Sequence, residues 1–137
     1  MQIYKLIIII SLIIGLSACG NDSKDIRLAL NAGIKANNRS EFKKAIDFYQ
    51  KVISMDNANA EAYYNLGNTY YNIKEYDLSL LNANKAIEHN STYGEAYKLR
   101  AELYKKIFKD NDKACENYLK AEEYGVKNLY NYTKFCK

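Results

Sequence analysis

Three cysteines and a single histidine carry the strongest claim to chemistry in this 137-residue chain: Cys19, Cys115, Cys136 and His89. A tetrahedral zinc site draws four ligands from thiolates, imidazoles and carboxylates. One histidine and thiols scattered between the two ends do not supply them, so no metal is expected. His89 falls near the end of a helical stretch and reads as a solvent-facing or capping residue. The acidic pair Glu122-Glu123 reads as a solvated helix end. Neither GxGxxG nor GxxxxGK[ST] occurs, so no phosphate cradle is signalled and no cofactor is expected. No acid, base and nucleophile converge, so the chain is read as a non-enzyme. What remains is the chemistry of isolated thiols and of surfaces.

Cys19 stands where an apolar run turns polar. Leu6 to Ala18 is apolar, interrupted by Ser11 and ending in small residues, and Lys5 precedes it. A membrane-spanning helix needs about 20 such residues. This run is shorter and suits the apolar core of a secretory signal, with an uncleaved anchor as the alternative. Leu16-Ser17-Ala18-Cys19 resembles the lipobox of bacterial lipoproteins. That resemblance implies lipidation of Cys19, removal of residues 1–18 as a signal peptide, and a polar tether over 19–24. Several acyl chains would give stable membrane attachment. The implied location is the cell envelope. Gly20 stands where an aspartate retains many lipoproteins in an inner membrane, which favours an outer membrane, at its periplasmic or surface face.

With Cys19 committed to lipid, Cys115 and Cys136 are left as a pair, and parity in an exported protein favours a disulfide. Two free thiols packed as small hydrophobes are the other reading. Cys115 and Cys136 lie at similar distances on either side of Gly125. A chain folding back at Gly125 would bring them to one height, and the bond would then staple the C-terminal segment to the element before it. The charge is mild, with 20 Lys and Arg against 16 Asp and Glu. It is also well mixed along the sequence, so nucleic acid is not an expected partner. Proline and tryptophan are absent, whereas tyrosine occurs 14 times.

These residues are positioned by a repeat of 34. Gly33, Gly67 and Ala101 keep that step, as do Ala29, Tyr63 and Tyr97, and Ala36, Tyr70 and Tyr104. Phe42 becomes Tyr76, Ala45 becomes Ser79, and Val52 becomes Ala86. In the third unit the later columns, Ala114, Tyr118 and Ala121, fall one residue late, which points to one extra residue in the loop 109–113. Apolar residues within each unit recur at three, four and seven, the helical spacing. Six helices are expected, over 25–38, 41–55, 60–73, 76–89, 94–107 and 112–124. Asn59 and Thr92 are candidate N-caps, Thr92 with Glu95 as a capping box. Gly125 is a candidate left-handed C-cap.

The stretch AEAYYNLGNTYYNIKEYDLSLLNANKAIEHN, Ala60 to Asn90, closely resembles a tetratricopeptide repeat. Tyr63, Leu66, Gly67 and Tyr70 hold its first-helix columns, and Ser79, Ala83 and Ala86 its second-helix columns. The other units supply Gly33, Ala45, Tyr49 and Val52, then Tyr97, Ala101, Tyr104, Ala114, Tyr118 and Ala121. Asn57 and Ser91 replace the proline that usually closes each repeat. The resemblance implies an all-α superhelix of helix-turn-helix units, an α-solenoid, occupying residues 25–137. Its repeats would span about 26–59, 60–93 and 94–128, with a cap over 128–136. In the cap, Tyr132, Phe135 and Cys136 align with Tyr97, Arg100 and Ala101, as the first helix of a truncated fourth repeat. Small residues at Gly33, Gly67 and Ala101 would let paired helices approach, offsetting a glycine cost of about 1 kcal/mol within a helix.

The same resemblance implies a concave surface built from the first helix of each repeat. Its columns here are Arg27, Leu30, Ile34 and Asn37; Glu61, Tyr64, Asn65, Asn68, Tyr71 and Asn72; and Glu95, Lys98, Glu102 and Lys105. Tyrosine combines an apolar body with a polar tip, and asparagine both donates and accepts, so this stripe suits an extended peptide. The plain reading is a tolerated tyrosine- and asparagine-rich surface. Some members grip a C-terminal carboxylate in a basic clamp; the matching columns, Leu30, Ile34, Asn65, Glu95 and Leu99, lack the lysines. The expected function is a membrane-anchored, non-catalytic adaptor, similar to small envelope-assembly lipoproteins of this repeat class. A protein or peptide would be held by Tyr64, Asn65, Asn68, Tyr71, Asn72, Lys98 and Glu102. The alternative is a glycan- or peptidoglycan-binding lipoprotein, in which tyrosines stack on sugars.

Overall fold

The computed structural model describes residues 22–134 and 136, and Cys19 with the signal reading of 1–18 lies outside them. Helix α1 covers 22–38. It is followed by α2 (Phe42–Met55), α3 (Ala60–Asn72), α4 (Tyr76–His89), α5 (Gly94–Leu103), α6 (Asn111–Glu123) and a single-turn α7 (Tyr130–Thr133). There is no strand among the described residues, and none of their helices is long and apolar enough to cross a membrane. Residues 22–24, read from sequence as tether, are already helical. Asp22 and Asp25 explain this, since carboxylates in a first turn complement the helix dipole.

Helices pair as antiparallel hairpins, α1 with α2, α3 with α4 and α5 with α6, and the small-residue column sets how closely. A Cβ at Gly33 would stand 2.5 Å from Cε1 of Tyr49. A Cβ at Gly67 would stand 3.2 Å from the backbone oxygen of Ser79 and 3.3 Å from the Cβ of Asn82. Each second helix turns one narrow stripe inward: Ala45, Tyr49 and Val52 on α2; Ser79, Asn82, Ala83 and Ala86 on α4; Ala114, Asn117, Tyr118 and Ala121 on α6. Side-chain bonds tie successive hairpins together. On α3, the buried Thr69 hydroxyl donates to Asn37 Oδ1 at 3.1 Å, linking it to α1. Arg100 on α5 donates to Asn84 on α4 (2.8 Å) and to Asn117 on α6 (2.7 Å).

The turns replace the missing prolines with side-chain bonds. Asp56 accepts from the backbone of Ala58 (3.1 Å) and from the Asn59 amide (3.0 Å). Asn90, one repeat later, accepts from the Thr92 backbone (3.1 Å) and hydroxyl (2.9 Å). Both are Asx turns, in which a short polar side chain mimics the backbone of a turn. Asn59 caps α3 by accepting from the Ala62 backbone at 3.0 Å, as expected. The capping box expected at Thr92 is not formed, because its hydroxyl is spent on Asn90 and Tyr93 holds the N-cap position without a side-chain bond. Asp110 caps α6, accepting from the Lys113 backbone at 3.0 Å, a cap that the sequence reading missed.

The extra residue of the third repeat lies inside a helix end rather than in the loop 109–113. After α1 and α3 the closing bonds reach five residues back, from Glu41 to Ala36 and from Glu75 to Tyr70. After α5 the equivalent bond reaches six back, from Asp110 to Tyr104. The inserted residue is taken up as a π-helical turn over Tyr104–Phe108. Ser40, Lys74 and Lys109 then take the same left-handed turn conformation, with φ of 60°, 67° and 58°. Gly125 ends α6 at φ 91°, and the Val126 N–H closes the turn onto Ala121.

Cys115 and Cys136 form a disulfide with Cα atoms 5.4 Å apart, and it joins the segment after α7 to α6. The cap departs from the repeat register. Tyr132, aligned with the buried Tyr97, is 41% exposed, whereas Leu129 and Thr133 fill the buried positions. Tyr132 instead stacks on Tyr118, centroids 4.8 Å apart. Phe135 lies outside the described residues. A four-residue helix tethered at its far end follows the bond and the apolar contact of Leu129, not the 34-residue period.

Candidate functional site

Helices α3 and α5 lie side by side and enclose an open cleft of about 170 Å³, lined by Tyr64, Asn68, Tyr71, Asn72, Glu95, Lys98, Leu99 and Glu102. The inner edge of each helix supplies these residues because its other face is used up against the paired helix. On α3, Tyr63, Leu66 and Gly67 are buried, which leaves Tyr64, Asn68 and Tyr71 on the opposite stripe. On α5, burial of Ala96, Tyr97 and Ala101 leaves Glu95, Lys98 and Glu102.

Six of the seven residues read from sequence as partner-binding line this cleft. Asn65 does not; its amide donates back to the Glu61 carbonyl at 2.9 Å. Two inner-column assignments change. Leu30 is buried at 8% exposure, and Ile34 packs against the core cluster of the first hairpin. Their apolar side chains turn into the gaps between hairpins, so the open surface is displaced toward α3 and α5. Asn37 is half-buried and bonded to Thr69. His89 is exposed and stacked on Tyr63, centroids 5.3 Å apart. Among the described residues no group of three His, Cys, Asp or Glu side chains is placed to hold a metal ion.

The cleft tyrosines are braced. Tyr64 meets Tyr93 edge to face at 5.4 Å, and Tyr71 meets Tyr76 in the same way at 5.8 Å. Rings held by other rings lose little freedom when a ligand arrives. Burial raises the Tyr64 hydroxyl above the usual phenol range, and Glu95 and Glu102 raise it further. The Tyr93 hydroxyl is likewise pushed well up, first by burial and then by Glu61, Tyr64 and Glu95. The Tyr64 and Tyr93 phenols therefore stay protonated and can act as donors near neutral pH. Glu102 is bonded to Lys106 at 3.1 Å, which raises the lysine.

A second, more apolar hollow lies at the far end, lined by Lys105, Asn111, Ala114, Cys115, Tyr118, Asn131 and Tyr132. Here the Lys105 ammonium lies 4.8 Å from the Tyr132 ring centre, and the Tyr118 hydroxyl is buried without a hydrogen-bond partner. The α7 cap and its disulfide form one wall of this hollow. Sequence reading did not find it, because Tyr118 belongs to a core column and reaches the hollow only through the displaced cap.

The comparisons agree with this geometry. Residues 38–74 match the family model described as TPR repeat, and residues 60–93 match that of the tetratricopeptide repeat. No curated protein matches the chain. Among solved structures, the first TPR of Spaghetti (RPAP3), bound to the HSP90 peptide SRMEEVD, is similar. Its TM-score is 0.74 at 23% identity, over 82% of this chain and 90% of that one. The Arabidopsis OM64 TPR domain has a TM-score of 0.74 at 18% identity, over 82% and 94%. The TPR2B domain of yeast Sti1, in complex with pHsp70, has a TM-score of 0.69 at 21% identity, over 74% and 80%. The chain therefore carries tetratricopeptide repeats and has the all-α solenoid fold of such domains. These domains are typically non-catalytic modules for protein interaction.

Proposed function

We propose that this chain is a non-catalytic adaptor that holds a protein or peptide segment in the cleft between α3 and α5, tethered to a membrane of the bacterial cell envelope through a lipidated Cys19. The observation that carries the binding role is the cleft itself. Six residues chosen from the repeat register come together on one open surface with braced aromatic rings and unspent amides at Asn68 and Asn72. The similar solved domains, one bound to an HSP90 peptide and one in complex with pHsp70, support the same role. The ligand here differs in chemistry from the acidic tail SRMEEVD. Glu95 would face its carboxylates, and the buried Leu30 and Leu99 stand where a clamp would need cations. The alternative, a glycan stacked on the cleft tyrosines, would draw on the same rings, each of which meets another tyrosine edge to face.

The test is mild cross-linking of the intact protein in its own membranes, with Asn68→Ala/Tyr71→Ala as control. A partner recovered in near-equal amount and lost in the double variant is expected. A partner indifferent to the variant would overturn the cleft as the site. For the tether, incorporation of a labelled fatty acid should be abolished by Cys19→Ala; incorporation that survives would refute lipidation at this residue.

A further inference from the structure

The cleft has two chemically unlike rims. Glu95 lines the cleft at one rim, and Glu61, just outside the lining, holds the same column one repeat earlier; they are the second residues of α5 and α3. Both are exposed, and neither belongs to an ion pair among the described residues. Tyr64 and Tyr93 meet edge to face beside them; burial is the main cause that raises both phenols, with Glu95 adding to both and Glu61 to Tyr93. At the opposite rim Glu102 is already paired, holding Lys106 at 3.1 Å. Lys98, on the wall between the rims, is the one basic residue lining the cleft among the described residues, and Arg27, which holds the same column on α1, forms no ion pair with either glutamate. Two open carboxylates beside aromatic faces suit a cation that can be partly desolvated, because carboxylate bonds and ring quadrupoles both attract it.

We propose that the cleft takes a protein segment presenting a lysine or arginine side chain, with its cation seated between Glu61 and Glu95 against the rings of Tyr64 and Tyr93. This rests on the cleft being the binding site and adds the charge of what enters it. The mixed walls set the rest of the segment: Asn68 and Asn72 bond its backbone, and the tyrosine tips bond polar side chains. Acidic segments are repelled at the first rim.

The test uses the full-length chain in detergent and a bead library of randomised octapeptides, acetylated and amidated so that no terminal charge competes. Bound peptides should be enriched in lysine or arginine at one position. Glu61→Gln/Glu95→Gln should erase that preference and weaken the best peptide by about tenfold or more. Replacing its basic residue by norleucine should weaken it as much, with no further loss in the double variant. Both glutamates are exposed and glutamine is isosteric, so an unchanged circular dichroism melt is expected and separates lost binding from lost fold. Peptides selected without basic preference, unaffected by the glutamine variant but lost with Asn68→Ala/Tyr71→Ala, would overturn the proposal and leave the cleft reading standing. Glu61 and Glu95 would then serve only as helix-dipole partners. Enrichment of acidic peptides would also overturn it. No binding, or binding indifferent to Asn68→Ala/Tyr71→Ala, would overturn both.

Discussion

Gly33 and Gly67 occupy one column of successive repeats, yet they are glycine for different reasons. Gly33 faces the ring of Tyr49, which is 1% exposed and fills the first hairpin. In the second hairpin the position equivalent to Tyr49 is Ala83, so the helices close further and Gly67 meets the backbone of α4 instead. The third hairpin combines Ala101 with Tyr118 in one core cluster. That hairpin carries the π-helical turn, and its second helix is bonded to the cap. The column thus specifies close approach, while the partner at Tyr49, Ala83 or Tyr118 decides how close and against what.

The largest expected effect is at Tyr49. Tyr49→Ala should cost about 3–5 kcal/mol in urea unfolding, by lost burial and the cavity left behind. The same substitution sharpens the comparison through a cycle. Alone, Gly33→Ala should destabilise by about 1–3 kcal/mol because the buried ring cannot move aside. In the Tyr49→Ala background it should instead stabilise by up to about 1 kcal/mol, the helix preference of alanine over glycine. Equal effects in both backgrounds would show that Gly33 answers to something other than Tyr49. Gly67→Ala should fall between these, near zero, since contacts of 3.2–3.3 Å ask for shifts of a few tenths of an ångström.

The third hairpin tests whether its arrangement depends on the staple. Cys115 and Cys136 are 21 residues apart, and closing a loop of that size contributes about 3 kcal/mol through the unfolded chain. Melts with and without reductant should differ accordingly. An unchanged melt would mean that Leu129 and the Tyr118–Tyr132 stack hold the cap alone.

Helix starts give the smaller effects. Asn59→Ala should cost about 1 kcal/mol in urea unfolding, the usual worth of an N-cap, whereas Thr92→Ala should cost little, since Thr92 caps no helix. The smallest is a pH effect at Asp110. The Lys113 backbone N–H, and then its ammonium, hold this carboxyl below its ordinary range. A depressed folded pKa contributes stability that is complete above the unfolded value and is lost as pH falls through the folded one. The difference in melting temperature between wild type and Asp110→Asn should therefore shrink on acidification. A constant difference would assign the cap to geometry rather than charge.

Most of the cleft was legible because side-chain direction in a helix follows from sequence spacing. Once Tyr63, Leu66 and Gly67 are assigned inward, Tyr64, Asn68 and Tyr71 must face away from them. Asn65 shares that stripe but bonds to its own helix, a local competition that spacing does not reveal. The Asx turns at Asp56 and Asn90 were legible in principle, since they keep the repeat step one position before Asn57 and Ser91. The cap was not. Its four-residue helix is too short for a period to fix its face, and the disulfide and Leu129 set it instead.

By itself the sequence determined the paired helices, their columns and the stripe that lines the cleft, because these follow from a 34-residue period and the geometry of the α-helix. The tertiary structure decided where an added residue goes, which inner-column side chains fill gaps rather than face solvent, and which carboxylates remain without cations. Those outcomes depend on contacts between residues far apart in the chain, whose distances no local spacing contains.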